Sequence, residues 1–260
     1  MTSRIHPTAI IHSDARLAED VTVEAYSFIG AGVVIGSGTV LGPYSRIEGP
    51  AEIGERNRFF GQCSIGTEAQ DLKFKGETTT LTIGSDNTFR EFVTVNRGTV
   101  GGGGKTTIGA DNFFMVQAHV AHDCHVGSHT VFANAATLAG HVEVQDYATV
   151  GAFSGVHQFC RVGEHAFLGG FTVTTQDALP FVKTVGNRPA KTYGVNSIGM
   201  ARKGFSPETI EAIERAYRIL IRSKLKLDEA LLRIETELAA VPEALRFAHF
   251  VREAQRGVVR

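Results

Sequence analysis

Residues 5–40 read IHPTAI IHSDAR LAEDVT VEAYSF IGAGVV IGSGTV when written in blocks of six, and every block opens on a large apolar residue. The phase runs to Ile65, returns over 83–95 and, after a slip of one residue, resumes over 108–168. A six-residue unit cannot bury its apolar side alone, whereas stacked units bury one another. The period therefore predicts a parallel β-helix with three six-residue faces in each 18-residue coil.

A second column of small residues stands four positions after each apolar one. The three cysteines of the chain fall in this column: Cys63, Cys124 and Cys160. We expect them to be buried fillers and not nucleophiles or ligands. Glycine often follows the apolar residue directly, as at Gly36 and Gly42, and this position would suit a tight corner.

Two insertions interrupt the period, near 66–82 and 96–107, and contain QDLKFKGETTT and GTVGGGGKTT. Insertions in a solenoid become loops on one face, often the binding face. The GGGGKT tract does not predict a phosphate-binding loop. That motif would need glycine where Thr99 stands, and it would need a strand–helix–strand unit around it.

Helical features replace the period near the C-terminus. Ser206 suits a helix N-cap and Pro207 the first helical position, and an apolar stripe follows. LDEALLRIETELAA and PEALRFAHFVREA predict two further helices. We expect a β-helix over 1–190 and a C-terminal helical domain over 191–260, with helices from about 206, that can cover the open end of the solenoid.

Composition excludes several classes of protein. The chain has 260 residues and a formal net charge of −1, so it has no basic field to hold nucleic acid. The N-terminus lacks the apolar run of a signal peptide, and no run of 18 apolar residues occurs. We therefore expect no membrane span and a cytoplasmic location. Three scattered cysteines do not suggest a disulfide framework.

The stretch QAHVAHDCHVGSHTV, residues 117–131, contains four histidines. Residues about 18 apart are neighbours in adjacent coils, so His122, His141 and His157 should form one column whose rings face solvent or another subunit. A zinc site needs three converging ligands, which we do not expect one subunit to supply here. A purely structural histidine column is a further hypothesis.

Acid–base chemistry is the interpretation we favour for this segment. His122 directly precedes Asp123, which predicts a general base with an orienting carboxylate. Gly140 stands beside His141 in LAGHV, and its backbone N–H would be accessible to a developing oxyanion.

Several motifs extend along the chain: HPTA at 6–9, QDLKF at 70–74, RGTV at 97–100, QAHVAHDC at 117–124, ANAATLAGHV at 133–142, VHQFC at 156–160, GVN at 194–196 and RKGFS at 202–206. Together they resemble the bacterial UDP-N-acetylglucosamine acyltransferases that open lipid A synthesis, over nearly all of the 260 residues. The combination of HVAHDC, LAGHV and VHQFC at these spacings carries the resemblance. The related N-acyltransferases of the same pathway carry an extra N-terminal domain, for which there is no room before Ile5.

The resemblance implies a left-handed parallel β-helix in a homotrimer, with active sites between subunits and no metal or cofactor. The substrates would be UDP-N-acetylglucosamine and a (3R)-3-hydroxyacyl chain on acyl carrier protein, joined at the glucosamine 3-hydroxyl. His122 would be the general base, Asp123 its orienting carboxylate and Gly140 the oxyanion donor. The positions that match those binding the sugar, its phosphates or the nucleotide, or lining the cleft, are Asp71, Lys73, His119, His141, His157, Gln158, Asn196 and Arg202.

Gly170 matches the position at which the family measures acyl length. A glycine there leaves the groove deep, which implies a chain of about fourteen carbons, although one methylene is worth only ~1–3 kcal/mol. Basic residues near the helices are candidates for docking the acidic carrier protein: Arg202, Lys203, Arg215, Arg218 and Arg222.

Three residues depart from the family pattern. Asn96 replaces a histidine, Ile198 a glutamate that contacts the nucleotide, and Lys203 an arginine whose bidentate fork lysine does not reproduce. A 3-amino UDP-sugar acceptor, giving an amide instead of an ester, therefore stays open. The same fold also suits a zinc enzyme resembling gamma-class carbonic anhydrases, a coenzyme A-dependent acetyltransferase and a non-catalytic trimeric scaffold.

Overall fold

The computed structural model describes residues 4–260, so residues 1–3, which the expected β-helix included, lie outside the description. The first strands are β1 (Arg4–Ile5), β2 (Ile10–Ile11), β3 (Arg16–Leu17), β4 (Thr22–Val23), β5 (Phe28–Ile29), β6 (Val33–Ile35), β7 (Val40–Leu41), β8 (Arg46–Ile47), β9 (Ala51–Ile53), β10 (Arg58–Phe59), β11 (Ser64–Thr67), β12 (Thr80–Ile83), β13 (Thr88–Phe89) and β14 (Thr94–Asn96). They continue as β15 (Lys105–Ile108), β16 (Phe113–Phe114), β17 (His119–Val120), β18 (His125–Val126), β19 (Val131–Phe132), β20 (Thr137–Leu138), β21 (Glu143–Val144), β22 (Thr149–Val150), β23 (Gly155–Val156), β24 (Arg161–Val162), β25 (Phe167–Leu168), β26 (Val173–Thr174), β27 (Val182–Val185) and β28 (Lys191–Val195).

The helices follow the strands. They are α1 (Ser197–Arg202), α2 (Pro207–Tyr217), α3 (Leu227–Glu237) and α4 (Pro242–Arg252), with a π-helical turn at Arg218–Arg222 and a 3-10 turn at Val100–Gly102.

From β1 to β23, each strand pairs in parallel with the strand three places on, so that three sheets form the faces of a prism. The first sheet begins at β1, the second at β2 and the third at β3. Each coil therefore has three corners, which we name by the sheets that meet there. The predicted parallel β-helix of hexapeptide repeats is confirmed by this topology.

The inward apolar column forms the core of the solenoid. Phe59, Phe89, Phe114 and Phe132 are buried and stack with ring centroids 4.7–4.8 Å apart, which is the spacing of the coils. The predicted fillers are buried as well. Burial raises the pKa of each of the three cysteine thiols, Cys63 and Cys160 to about 11 and Cys124 to about 12, so all three stay protonated at neutral pH.

The insertions lengthen two of the coils without breaking the stack. Phe59 pairs with Phe89 and Phe89 with Phe114, whereas Phe114 pairs with Phe132 across a coil of ordinary length. The coil from Phe59 to Phe89 is longer than an ordinary coil by two hexapeptides. The coil from Phe89 to Phe114 is longer by one hexapeptide and one further residue. That single extra residue explains the slip in the phase of the sequence, because the stack of coils continues through it.

The corner glycines have a different role from the expected one. The left-handed backbone lies at the third residue after the apolar one, and that residue is usually not glycine, as at Asp123 (φ 58°) and His141 (φ 62°). Gly36, directly after Ile35, is required because a Cβ there would lie 2.6 Å from the carbonyl carbon of Gly54 in the next coil. Close approach between coils, and not turn conformation, therefore explains these glycines.

The first helix of the C-terminal region begins earlier than expected. The solenoid continues past Leu168, because β26 and β27 still pair in parallel with strands of the coil below them. The strand β28 turns back antiparallel on β27, and α1 begins at Ser197, so the expectation of helices from about 206 was wrong for the first of them. A second core starts at Leu179 and joins the last coil to the helices. The helical region thus covers the end of the solenoid.

Candidate active site

His122 and Asp123 lie at the corner between the second and third sheets, between β17 and β18. His122 Nδ1 is 2.8 Å from Asp123 Oδ2, as the adjacent pair in the sequence predicted. A carboxylate can only accept, so Nδ1 carries the proton and Nε2 keeps a free lone pair. The His122 side chain is 12% exposed and that of Asp123 is 0% exposed, so this hydrogen bond is shielded from water.

The second insertion completes the surroundings of Asp123. The Thr99 N–H donates to Asp123 Oδ1 at 2.8 Å and the Thr99 hydroxyl donates to Oδ2 at 2.6 Å. The Asp123 N–H donates to the Thr106 hydroxyl at 2.8 Å. Sequence reasoning missed Thr99, which it considered only as the residue that disqualified a phosphate loop. The sequence feature that could have pointed to Thr99 is the position of the second insertion, which comes directly before the coil that carries His122.

The histidines share this corner but do not form the single expected column. The ring of His141 meets His122 edge to face, with centroids 5.2 Å apart. It stacks flat on Phe159 at 4.4 Å and not on His157. Coil register explains the difference, since Asp123, His141 and Phe159 hold the same left-handed corner position in three successive coils. The rings of His122 and His141 are also largely buried within one chain instead of facing solvent.

Gly140 lies directly against His122. A Cβ on Gly140 would be 2.5 Å from His122 Cε1, so only glycine lets the ring occupy this position. Within residues 4–260 no group accepts the Gly140 N–H, although the residue is buried. At the equivalent position of other corners, the N–H groups of Ala110 and Glu164 donate to side chains, whereas within residues 4–260 the N–H of Asn134 has no acceptor either; what sets Gly140 apart is that its free N–H lies against His122. A donor left free beside a base is the arrangement that an oxyanion requires.

His119, in β17, and His141 both have a pKa below the usual value for histidine. Burial lowers the pKa of His119, and a charge on His122 acts in the same direction. The His119 Nδ1 is 2.7 Å from the Thr94 hydroxyl. Burial also lowers the pKa of His141, while the carboxylates of Asp123 and Asp71 act against it. At neutral pH both rings can therefore offer hydrogen bonds without a positive charge.

The first insertion brings Asp71 to the same corner, close enough for its charge to act on His141. Its Oδ1 accepts the N–H of Lys73 at 2.9 Å, which fixes a turn in the exposed QDLKF segment. Asn96 anchors the start of this insertion, since its Nδ2 donates to Thr67 Oγ1 at 3.0 Å and to Glu68 O at 2.8 Å. Asn96, which stands where the resembled family has a histidine, therefore holds the start of the first insertion in place.

Asn196 and Arg202 lie elsewhere, at the corner between the third and first sheets. They line a cleft of about 410 Å³ together with Tyr147, His165 and Lys183. Asn196 Nδ2 donates to His165 O at 3.2 Å. The departing residues Ile198 and Lys203 also line this cleft. Within one chain, this cleft is therefore separate from the His122 corner.

An aromatic stack forms the wall of that cleft. His129, Tyr147 and His165 stack at 4.7 and 4.6 Å, as the 18-residue spacing predicted, and Phe181 follows at 5.6 Å. The Lys203 ammonium lies 5.1 Å from the centre of the Tyr147 ring. Burial lowers the pKa of His165 to about 4, and the charges of Lys203 and Arg246 act in the same direction. The wall is thus neutral and its rim is cationic.

Three of the predicted binding residues occupy exposed positions. His157 and Gln158 follow β23 at the His122 corner, two coils on, and His157 Nδ1 is 3.1 Å from Gln158 O. Gly170 lies at the first–second corner, where a Cβ would meet only Ala152 O, at 3.4 Å. The space above Gly170 is open within the chain, as a deep groove would need.

Three ligand-type side chains converge at the His122 corner, contrary to expectation. Donor atoms of His122, Asp123 and His141 lie within 4.8 Å of one another. The expectation that one subunit does not supply three converging groups was therefore wrong. His122 Nδ1 and Asp123 Oδ2 are hydrogen-bonded to each other, which is the geometry of an acid–base pair.

Comparison with known proteins identifies the family. A family model described as Udp N-acetylglucosamine O-acyltransferase, Domain 2, matches residues 177–259. The acyl-[acyl-carrier-protein]–UDP-N-acetylglucosamine O-acyltransferase of Stenotrophomonas maltophilia is 51% identical over 257 residues, which are 99% of this chain and 98% of that protein. The chain belongs to the UDP-N-acetylglucosamine O-acyltransferase family. The protein of the same name from Xylella fastidiosa is 48% identical over 258 residues, covering 99% of this chain and 98% of its own length.

Solved structures of the family agree with the fold. LpxA from Acinetobacter baumannii superposes with a TM-score of 0.96 at 42% identity, covering 98% of this chain and 99% of that one. The β-helix is accordingly left-handed, which the hexapeptide period alone did not determine. Within residues 4–260, none of the helices has the length and apolar character needed to cross a bilayer.

Proposed function

We propose that this chain transfers a (3R)-3-hydroxyacyl group from acyl carrier protein to the 3-hydroxyl of UDP-N-acetylglucosamine, the first step of lipid A synthesis. The buried His122–Asp123 pair beside the free N–H of Gly140 is the observation that carries the proposal. A relative at 51% identity bears the corresponding enzyme name. A cytoplasmic location is part of the proposal, because both the carrier-bound donor and the nucleotide sugar are soluble substrates.

The chemistry follows from the state of His122. Its Nδ1 proton is engaged by Asp123, so Nε2 accepts the proton of the sugar 3-hydroxyl. The oxygen then attacks the thioester carbonyl, and the resulting oxyanion accepts the N–H of Gly140. Collapse of the tetrahedral intermediate breaks the carbon–sulfur bond, and the proton on His122 Nε2 passes to the departing thiol of the carrier. Asp123 stabilises the imidazolium while it exists.

The surrounding residues position the acceptor. Neutral His119 and His141 offer hydrogen bonds at the same corner, and the first insertion supplies Asp71 and Lys73. We assign His157 and Gln158 to the same cleft two coils on. Gly170 leaves room for a long acyl chain, and its open surroundings support that assignment.

We further propose that the active protein is a homotrimer. The nucleotide residues Asn196 and Arg202 lie at a different corner from His122, so one chain does not hold a complete site. Three copies packed side by side about a threefold axis, with their solenoids parallel to it, can bring the third–first corner of one chain against the second–third corner of its neighbour. Coexpression of His122→Ala with Asn196→Ala tests this. Mixed trimers should regain activity if the half-sites come from different chains, and they should stay inactive if each chain is self-sufficient.

Mass spectrometry tests the reaction itself. The protein is incubated with UDP-N-acetylglucosamine and (3R)-3-hydroxyacyl carrier proteins of graded chain length, and in parallel with acetyl-coenzyme A. A product heavier by one hydroxyacyl group supports the proposal, and the preferred donor tests Gly170. His122→Ala should lose about 10²–10⁴-fold in rate while the oligomer persists.

The competing hypotheses predict different results in the same assay. Product only with a 3-amino UDP-sugar would change the acceptor. Product only with acetyl-coenzyme A would change the donor. Stoichiometric zinc with no transfer would favour a metal enzyme that uses the three converging groups.

A further inference from the structure

We propose that Thr99 is a positioning residue that directs the Asp123 carboxylate to His122 and away from His141. The proposal rests on the proposed acyl transfer and assigns a role to the GTVGGGG insertion. Thr99 lies 24 residues before Asp123 in the sequence and reaches it only because the second insertion folds back over the corner.

The direction of the Thr99 hydroxyl is determined by its neighbours. The hydroxyl oxygen accepts the Gly102 N–H at 3.2 Å, and the Asp123 carboxylate can only accept. The hydroxyl therefore donates to Asp123 Oδ2, at 2.6 Å, while the backbone N–H of Thr99 donates to Oδ1 at 2.8 Å. Two donors from one residue hold both oxygens and so set the rotation of the carboxylate.

The rotation matters because two histidines compete for the same oxygen. Asp123 Oδ2 is 2.8 Å from His122 Nδ1 and 3.8 Å from His141 Nδ1. A modest turn of the carboxylate would exchange the partner. Only the contact with His122 keeps the proton on its Nδ1 and leaves Nε2 available as the base. The hydroxyl of Thr99 thus selects which histidine is activated.

The loop also closes the space around the carboxylate. A Cβ on Gly102 would lie 2.0 Å from Asp123 Cγ, so the backbone of the insertion packs directly on the acid. Asp123 is 2% exposed in this arrangement. With water excluded, Thr99 is the only donor besides His122 that the carboxylate has within residues 4–260. Its loss cannot be compensated by solvent.

Thr99→Val tests the proposal, because valine keeps the shape and the backbone N–H but removes the hydroxyl. Because the lost hydrogen bond is to a charged group, we expect kcat to fall about tenfold to a hundredfold. The KM values for both substrates should be unchanged. Thr99→Ser restores the hydroxyl and should recover most of the turnover. Thr130→Val is the matched control. Thr130 is a fully buried threonine whose hydroxyl donates at 2.6 Å to Asn112 Oδ1, away from the site.

A spectroscopic readout separates this proposal from the proposed reaction. In protein labelled with ¹⁵N-histidine, the His122 signal should report the Nδ1–H tautomer in wild type and in Thr130→Val, and a mixture of tautomers in Thr99→Val. If wild type shows no acyl transfer, the reaction falls and the tautomer result still decides the role of Thr99. Unchanged tautomer and unchanged kcat in Thr99→Val would overturn the positioning role.

Discussion

Gly140→Ala is the most direct test of the geometry at the corner. The added Cβ would lie 2.5 Å from His122 Cε1, 2.8 Å from Nε2 and 3.1 Å from Nδ1. Carbon atoms pack at about 3.5–4.0 Å, so the His122 ring must retreat by about 1 Å. That movement stretches its 2.8 Å contact with Asp123. The backbone N–H is retained, so the loss comes from the displaced base and not from the oxyanion donor.

The expected effect of Gly140→Ala is a fall in kcat on the order of 10²-fold, the usual cost of misplacing a reacting group by about 1 Å. Gly155→Ala, in β23 two coils from β17, is the control, because a Cβ there meets no atom within 4 Å. Gly155→Ala should unfold at the wild-type denaturant midpoint, and Gly140→Ala at a lower one, because the hydrogen bond that it stretches is buried. Turnover is measured with saturating donor and acceptor, so that changes in kcat are read separately from changes in KM.

A double-mutant cycle distinguishes displacement of the ring from general damage. In a His122→Ala background the Cβ introduced at position 140 has room, so adding Gly140→Ala should leave the residual rate unchanged. A wild-type kcat in Gly140→Ala would refute the placement of the ring against Gly140. A further loss in the double variant would show that Gly140 acts through something other than His122.

Three further outcomes follow from the contacts of the fold. Between pH 6.5 and 4, His165 is protonated in the unfolded chain but not in the folded one. The free energy of unfolding should therefore fall by up to about 3 kcal/mol as the pH decreases across that window. His165→Phe, which keeps the aromatic stack, should not show this contribution when the free energy of unfolding is measured by urea titration at each pH. Phe114→Ala should lower the free energy of unfolding by about 3–5 kcal/mol and the half-exposed Phe92→Ala by much less, as measured by denaturant midpoints. Asn96→Ala removes two hydrogen bonds of about 1 kcal/mol each from the first insertion and should raise the KM for the nucleotide sugar with little change in kcat; an unchanged KM would separate Asn96 from acceptor binding.

The β-helix was predictable because every coil repeats one physical requirement. An inward side chain must be apolar, and it recurs at every sixth position, so the column from Ile5 to Leu168 marks the prism directly. The adjacent pair His122–Asp123 was predictable for the same reason, since its place at a corner follows from the period. The hand of the coil was not, because both hands bury the same column.

What sequence reasoning missed depends on contacts outside the period. Thr99 meets Asp123 only through the path of an insertion, and no periodicity describes that path. His141 stacks on Phe159 because the register between coils is strict at a corner, so the expected column does not pass through His157. The segment KTYGVNSIGM has no repeating pattern, so β28 and α1 were not expected there.

The open first coil has a consequence for how the molecule comes apart. Ile5 and Ile10 are 41% and 65% exposed there, whereas the last coil is covered by helices and a shared core. In a stack where each coil rests only on its neighbours, opening should begin at β1 and proceed coil by coil. His122 belongs to the sixth coil, which takes a loop from the coil before it and ring contacts from the coils after it. Fraying from the N-terminal end must therefore open four coils before it reaches the coil that carries Thr99 and five before it reaches His122, so the site lies well away from the least stable end of the chain.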